Sequence, residues 1–462
     1  MSSAKQHAAE IVRILRDRGH LAYFAGGCVR DLLLGRDPAD YDVASDATPQ
    51  QVMQIFPQTF AVGEQFGVVL VPQSSGATDA PSTSSGQALA RQGERSKHDQ
   101  AVEVATFRSD VGYSDGRHPD EVRFTKDPQE DVQRRDFTIN GMMLDPATNE
   151  LLDFVGGQDD LKSGIIRAIG DPERRFAEDK LRMLRAVRFA ARFDYQIDPA
   201  TMAAIRKLAP KINQVSAERV REELTKMLTE GQARRAFELL DQSSLLPELL
   251  PEIAAMKGVE QPPQYHPEGD VFVHTLLLLE KLPAGASKTL AWGALLHDVG
   301  KPPTFRIAPD RIRFDGHVDV GVKMAEEILC RLRFSNHETD QILALVDNHM
   351  RFGQVQRMNQ STLKKFLRLP AFEEHLELHR IDCLSSHGQL EAYEYAQEQL
   401  RSMPPEAIRP EPLITGRDLI EAGYEPGPRF KEILAAVEDA QLEGRVTSHD
   451  AAMEYVRRDF PA

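Results

Sequence analysis

From about residue 158 to the end of the chain, apolar residues recur at helical spacing in segment after segment, punctuated by Pro and Gly. Strand-like patterns are confined to the part before it. That asymmetry sets the plan: an α/β head followed by a long all-α body. With 462 residues the chain outgrows a single hydrophobic core, and roughly three or four domains are expected. In the head, residues 8–18 read as an amphipathic helix ended by Gly19, and Leu21 to Phe24 as a short buried strand. Phe66 to Val71 and Val102 to Phe107 read as two more strands. Between them runs Pro72 to Gln100, rich in Ser, Gly, Ala, Gln and Thr. It holds too little apolar surface to order itself, so residues 73–100 are expected to form a disordered surface insert.

Bulk properties remove several function classes. No apolar run is long enough to cross a bilayer, and Met1 to His7 holds no apolar core for export, so no membrane association is expected. Cys28, Cys330 and Cys383 stand alone, which fits a reducing cytoplasm and no disulfide framework. The net charge of −15 weighs against a general coat for polyanions, but it leaves room for local basic patches.

The densest chemistry lies in Gly26-Gly27-Cys28-Val29-Arg30-Asp31-Leu32-Leu33-Leu34-Gly35, followed by Asp40-Tyr41-Asp42. In an extended segment residues i and i+2 point to one face, so the carboxylates of Asp40 and Asp42 converge. Paired carboxylates repel unless a divalent cation sits between them, and hard oxygen ligands suit magnesium. Gly26 and Gly27 let backbone amides approach a triphosphate, and Arg30 offers a forked cation to the same phosphates. The reading is a metal-dependent site that moves a nucleotidyl group.

These residues resemble the head of class II tRNA nucleotidyltransferases, the CCA-adding enzymes, and of related bacterial poly(A) polymerases. Further markers follow in order: Thr106-Phe107-Arg108, Asp115-Gly116-Arg117-His118-Pro119, Arg134-Arg135-Asp136-Phe137-Thr138-Ile139-Asn140, Asp153-Phe154-Val155-Gly156-Gly157, and Glu178-Asp179-Lys180-Leu181-Arg182-Met183-Leu184-Arg185. As a set they are specific, and they cover residues 20 to about 260 closely. The resemblance implies a nucleotidyltransferase head with a polymerase-β-like palm. It implies two magnesium ions at Asp40 and Asp42, serving in-line attack of an RNA 3′-hydroxyl on the nucleotide α-phosphate. It implies nucleotide contacts from Arg108, Arg135 and Asp136. Glu103, on the third strand, is either a third acid near the metals or an ordinary exposed strand position. Cys28 stands where the family has a small residue and reads as packing.

Asp179, Arg182, Arg185 and Arg188 recur every three residues and make a stripe on one face of a helix expected from Glu178 to Arg192. Alone, such a stripe reads as a solvated face. Cytosine and adenine, however, both present an exocyclic amine beside a ring-nitrogen acceptor, and uracil and guanine present the reverse. A carboxylate at Asp179 accepts from the amine while Arg182 donates to the ring nitrogen, with Glu178 holding the arginine. That pair takes CTP and ATP and leaves UTP and GTP with unpaired groups. The resemblance assigns the same template role to these residues.

Farther on come His274, then His297-Asp298 inside Leu295-Leu296-His297-Asp298-Val299-Gly300-Lys301, and Asp382. Mixed imidazole and carboxylate ligands suit a transition metal or magnesium with open positions better than a closed structural zinc. The order His…His-Asp…Asp resembles the HD phosphohydrolase superfamily, implying hydrolysis of phosphodiesters or phosphomonoesters such as 2′,3′-cyclic phosphates. His317 and His349 would complete a second metal or contact phosphate.

The expected domains are a head at 1–157, a helical neck and body at 158–262 with the base-reading helix, an α-helical HD domain at 263–404, and a helical tail at 405–462. The tail suits RNA binding or oligomer contacts, and its residues name no chemistry. The expected partners are the tRNA 3′ end, CTP and ATP, with the oligomeric state open. The alternatives are a poly(A) polymerase, an enzyme adding only CC or only A, and, from another class, an HD phosphohydrolase whose head merely binds nucleotide. A plain RNA-binding scaffold fits least, because the head acids and the stripe are both intact.

Overall fold

The strands of the head are β1 (Ala22–Ala25), β2 (Asp42–Ser45), β3 (Phe60–Ala61), β4 (Val68–Pro72) and β5 (Ala101–Thr106). After a separate hairpin of β6 (Arg108–Val111) and β7 (Glu121–Phe124) come β8 (Met142–Leu144) and β9 (Leu151–Asp153). The computed structural model describes residues 3–61, 67–72, 101–112, 120–264 and 266–461. The expected insert at 73–100 and the motif at 115–119 lie outside them.

One seven-stranded sheet runs in the order β3-β4-β5-β2-β1-β8-β9. Only β2 and β5 pair in parallel, and their register sets Asp42 opposite Glu103. The period of two does the rest: Val102, Val104 and Thr106 are buried, while Glu103 between them emerges on the other side. Ala25, Ala44, Phe107, Val132, Met143 and Ile169 close one apolar cluster against the sheet.

The expected elements exist, with shifted ends. The first helix runs Ser3–Asp17, burying Ala8, Ile11, Val12 and Leu15 at helical spacing, and Gly19 stops it at φ +87°. The first strand starts one residue late, leaving Leu21 exposed. A larger departure lies at the base-reading stripe. The single helix expected from Glu178 to Arg192 is two helices, Pro172–Glu178 and Leu181–Phe193. Asp179 breaks them apart with extended backbone, and its Oδ1 accepts the Leu181 N–H at 3.0 Å. A short acid side chain that can serve a free helical N–H favours ending one helix and starting the next.

Beyond the head the described residues are almost wholly helical, apart from pieces of two residues per strand. The chain divides into two compact units: Met1–Glu223 with Leu239–Leu249, and Leu224–Glu238 with Leu250–Ala462. In the second unit, helices Val271–Lys281, Lys288–Leu296 and Asn336–Asn348 start on Asp270, Ser287 and Ser335, whose side chains each accept a first-turn N–H. Trp292, Leu295, Leu345 and Val346 are fully buried there. A C-terminal cluster of Ile414, Leu419, Ile433, Val437 and Val456 forms a smaller core. No helix among the described residues is long and apolar enough to cross a membrane.

The marker Asp153-Phe154-Val155-Gly156-Gly157 turns out to be a helix start. Asp153 accepts the N–H groups of Val155, Gly157 and Gln158 at the head of helix Gly157–Ser163. A Cβ on Gly157 would meet the Thr138 carbonyl oxygen at 2.2 Å, a backbone atom that cannot swing away. Gly157→Ala is therefore expected to cost about 1–3 kcal/mol of stability, read as a lowered urea midpoint.

Candidate functional site

The cleft of the head opens where β1 ends. Gly26, at φ +75°, turns the chain into helix Gly27–Leu33. A Cβ there would stand 3.1 Å from Arg135 Nη1 and 3.9 Å from Asp42 Oδ2, so the bare backbone lets a cation and a carboxylate close on one bend. A cavity of about 550 Å³ lies beside it. Its walls include Gly26, Gly27, Arg30, Asp42, Arg135, Asp136, Asp179, Arg182, Arg185 and Arg188. Asp40, Glu103, Arg108 and Glu178 are not part of that lining.

Asp40 lies in a bend before β2, so of the two acids only Asp42 sits on the strand. Their charges still reach one another. Burial, then the charge of Glu103, push Asp42 up to about 6, with Asp40 adding to the rise and Arg135 opposing it. Glu103 is exposed as a residue, yet its carboxyl is raised by crowding from surrounding protein, opposed by Arg135 and reinforced by Asp40. None of the three makes a salt bridge among the described residues. Three crowded oxygen donors without a matched cation are a donor set that fits a hard divalent ion.

The arginines of the cleft are held by acids behind them. Asp131, almost fully buried, accepts Arg134 Nη2 at 2.7 Å and Arg135 Nη2 at 2.9 Å. Asp136 takes Arg185 Nη2 at 2.6 Å, and Arg185 and Asn140 hold its carboxyl down to about 2 against the cost of burial. Glu178 pairs with Arg182 Nη1 at 3.0 Å, while Arg182 Nη2 donates to the Arg134 carbonyl at 2.9 Å. Asp179 pairs with Arg219 at 2.7 Å, and Arg188 with Glu223 at 2.7 Å.

Two expectations change. Arg30 does not offer a free fork: it is buried, its Nη1 donates to Asn140 Oδ1 at 2.7 Å, and its Nε and Nη2 both meet Asp31. The Asn140 amide continues to Asp136 Oδ1, so Arg30 braces the wall of the cleft. Arg108 pairs with Asp110 at 3.0 Å and is not among the residues that line the cavity. The sequence reading missed Asp131 and Arg219. Asp131 could have been found, because it stands three and four residues before Arg134 and Arg135, in the last turn of helix Pro128–Gln133 that precedes them. Arg219 carries no such local signal.

A second cluster lies in the helical unit. His274 Nε2 is 3.1 Å from Asp382 Oδ1 and 3.8 Å from Asp298 Oδ2. His297 Nε2 is 3.1 Å from Asp298 Oδ2, and His317 and His349 approach Asp298 Oδ1 at 3.9 and 3.7 Å. All four Nε2 atoms are buried without a hydrogen-bonding partner among the described residues. Three ligand groups with atoms within 4.8 Å of one another result: His274, His297 and Asp382; Asp298, His317 and His349; and His266, Glu268 and His274. Lys301 Nζ, unexpected here, reaches Asp298 Oδ2 at 2.7 Å. Although burial works against its charge, contacts with Asp382 and Glu268 push His274 up to about 9, while burial pushes His349 down to about 4. Buried, unpartnered imidazole nitrogens aimed at shared carboxylates fit a metal-binding donor set. A cavity of about 430 Å³ opens onto His266, Lys301, His317, His349 and Asp382.

Residues 22–167 match the family described as Poly A polymerase head domain, residues 194–257 that described as "Probable RNA and SrmB- binding site of polymerase A", and residues 317–456 tRNA nucleotidyltransferase domain 2. A CCA-adding enzyme of Geobacillus sp. (strain WCH70) is 31% identical over 456 residues, taking in 97% of this chain and 95% of that protein. The CCA-adding enzyme of Enterococcus faecalis is 41% identical over 223 residues, a match that spans only about half of each: 48% of this chain and 49% of that protein. Among solved structures, the Bacillus stearothermophilus CCA-adding enzyme in complex with CTP superposes with a TM-score of 0.73 and 28% identity, covering 99% of both chains.

The raised carboxyl of Asp42 has a measurable consequence. Its value of about 6 in the folded protein lies above the 3.8 of an ordinary aspartate, so its contribution to stability is present at low pH and lost as pH rises through about 6. In metal-free buffer Asp42→Asn is expected to match wild type only below about pH 4, and its advantage is expected to grow by a further ~1–2 kcal/mol between about pH 5 and about pH 8. Urea midpoints of the two proteins check this.

Proposed function

The chain belongs to the family of CCA-adding enzymes, and on that premise we propose that it is a template-independent nucleotidyltransferase. It builds or repairs the 3′-terminal CCA of tRNA from CTP and ATP. The observation that carries this reading is that Asp42, Asp179 and Arg182 all meet in one cavity.

Asp40, Asp42 and Glu103 would hold divalent ions, magnesium by the chemistry of their oxygen donors. Ions bound there supply charge neutralisation for the triphosphate and for the 3′-hydroxyl as it attacks. Arg135, fixed by Asp131, lies beside Asp42 and steers the phosphates. Asp179 keeps free acceptor capacity beyond its bonds to Arg219 and the Leu181 N–H, enough for an exocyclic amine. Arg182 has five N–H donors; contacts to Glu178, Arg175 and Arg134 use three, which leaves two for a ring nitrogen. Arg185 and Arg188 line the same wall. Domains at 1–157, 158–262, 263–404 and 405–462, and a cytoplasmic location consistent with three unbridged cysteines, complete the proposal.

The test is incubation with tRNA lacking its 3′ end and each labelled NTP in turn. Wild type is expected to add C and A and to refuse U and G. Asp42→Ala should lose several orders of magnitude in rate. Asp179→Ala and Arg182→Ala should admit UTP and GTP as well as slow addition, since one partner of the base edge is gone. Variants that only bind tRNA less tightly, with NTP choice unchanged, would make the stripe an RNA contact.

A second activity is favoured by the buried imidazoles. We propose an HD-type, metal-dependent phosphohydrolase site, with one ion at His274, His297, Asp298 and Asp382 and a second at Asp298, His317 and His349. A transition metal held there supplies an activated water for attack on a phosphoester. The double variant His297→Ala, Asp298→Ala is expected to abolish hydrolysis of 2′,3′-cyclic nucleotides, measured with manganese, nickel or cobalt, and to keep CCA addition. Loss of CCA addition in a well-folded double variant defeats the separation of the two activities.

A further inference from the structure

Three of the four histidines around Asp298 are anchored in one way. His297 Nδ1 lies 2.9 Å from the Ala294 carbonyl, His317 Nδ1 2.9 Å from that of Phe314, and His349 Nδ1 2.7 Å from that of Val346. Each uses the carbonyl three residues earlier. His297 and His349 cap helices Lys288–Leu296 and Asn336–Asn348, so their carbonyls lie in a last helical turn, whereas Phe314 precedes helix His317–Arg331 and shares its carbonyl with the His317 backbone N–H at 3.1 Å. Carbonyls in a last helical turn lack a helical donor. A hydrogen bond from Nδ1 fixes the tautomer and leaves the Nε2 lone pair facing inward.

His274 has no such carbonyl. It lies inside helix Val271–Lys281, where the Asp270 carbonyl already accepts its own backbone N–H and the Val271 carbonyl takes the Thr275 hydroxyl at 2.8 Å. Its Nδ1 turns instead to Glu268 Oε1 at 2.7 Å. Glu268 is itself nearly buried, with a side chain 6% exposed, and the same oxygen meets His266 Nδ1 at 2.8 Å. Its Oε2 is buried with no hydrogen-bonding partner among the described residues. A carboxylate taken out of water is retained where it has donors to answer it, and here both donors are imidazoles.

We propose that Glu268 is a positioning residue of the second site: it replaces the missing backbone carbonyl, holds His274 in the tautomer that presents Nε2 to the metal, and orients His266 at the cavity wall. This rests on reading the cluster as a metal site. A carboxylate behind a ligating imidazole also raises the basicity of the ligand, and removing such a partner typically weakens metal binding about 10- to 100-fold.

The test is titration of the full-length protein with Co²⁺, followed by the visible absorption that imidazole ligation gives and an all-oxygen site in the head does not. Glu268→Ala is expected to weaken this signal's apparent affinity about 10- to 100-fold, and Glu268→Gln, whose amide oxygen still accepts, to fall between it and wild type. Circular dichroism and melting of both variants confirm the fold. Glu268→Gln and Glu268→Ala proteins that are folded and bind Co²⁺ as wild type does overturn the role of Glu268 alone. A wild type without the imidazole signal overturns the metal-site reading, and this inference with it.

Discussion

An acid removed from water has to be answered by positive charge, and both sites of this chain are organised by how that demand is met. Around the cleft, Asp131 and Glu178 are buried and Asp136 nearly so, and each is answered by arginines: Arg134 and Arg135 for Asp131, Arg182 for Glu178, and Arg185 for Asp136. The pairing works in both directions. It keeps the acids ionised, and it fixes long, rotamer-rich cations in the lining of the cavity. Asp42, Glu103 and Asp40 are the exception, since they crowd one another and Arg135 alone offsets Asp42 among the described neighbours. Acids with partners hold the wall; those without them are the ones the proposed chemistry would use.

This distinction explains how far the sequence could be read. The pair of glycines, the two nearby aspartates and the Arg-Arg-Asp run are local patterns, and the cleft contains most of them. Which cation in such a pattern remains available is not local. Arg30 is adjacent to the glycines in sequence, yet its fork is occupied by Asp31 and by Asn140, 110 residues away. Asp179 fits a helical stripe by its spacing, but its own side chain captures the Leu181 N–H and ends the helix. The period of three survives on Arg182, Arg185 and Arg188, all on helix Leu181–Phe193, because nothing there competes for the backbone. The three strands read from the sequence moved at their ends by only one or two residues, while the other head strands, short pieces of two to four residues, went unread.

The helical cluster shows the same limit from the other side. The His297-Asp298 dipeptide stands out in any reading, and so do the histidines it gathers. Glu268 does not, because its importance comes from where His274 sits in its helix. A histidine at a helix end finds a carbonyl for Nδ1 within its own chain, whereas one inside a helix finds every nearby carbonyl taken. Only the three-dimensional arrangement shows which of four similar residues needs outside help.

The donors of the two sites also differ in kind, and that difference has consequences for how they share one protein. The head offers carboxylate oxygens alone, a donor set that suits magnesium. The helical cluster adds four imidazole nitrogens, and nitrogen ligands rank transition metals far above magnesium. On the proposed reading each site would draw on a different pool of ions. Magnesium at cellular abundance can fill the oxygen site without filling the nitrogen-rich one, and a scarce transition metal prefers the imidazoles. Imidazole must also be neutral to bind, so the proton held on His274 in the metal-free protein, raised to about 9 by its carboxylate neighbours, has to leave when an ion arrives. The same Asp382 and Asp298 that favour that proton are then free to favour the ion, and exchanging one positive charge for another keeps the buried acids answered throughout.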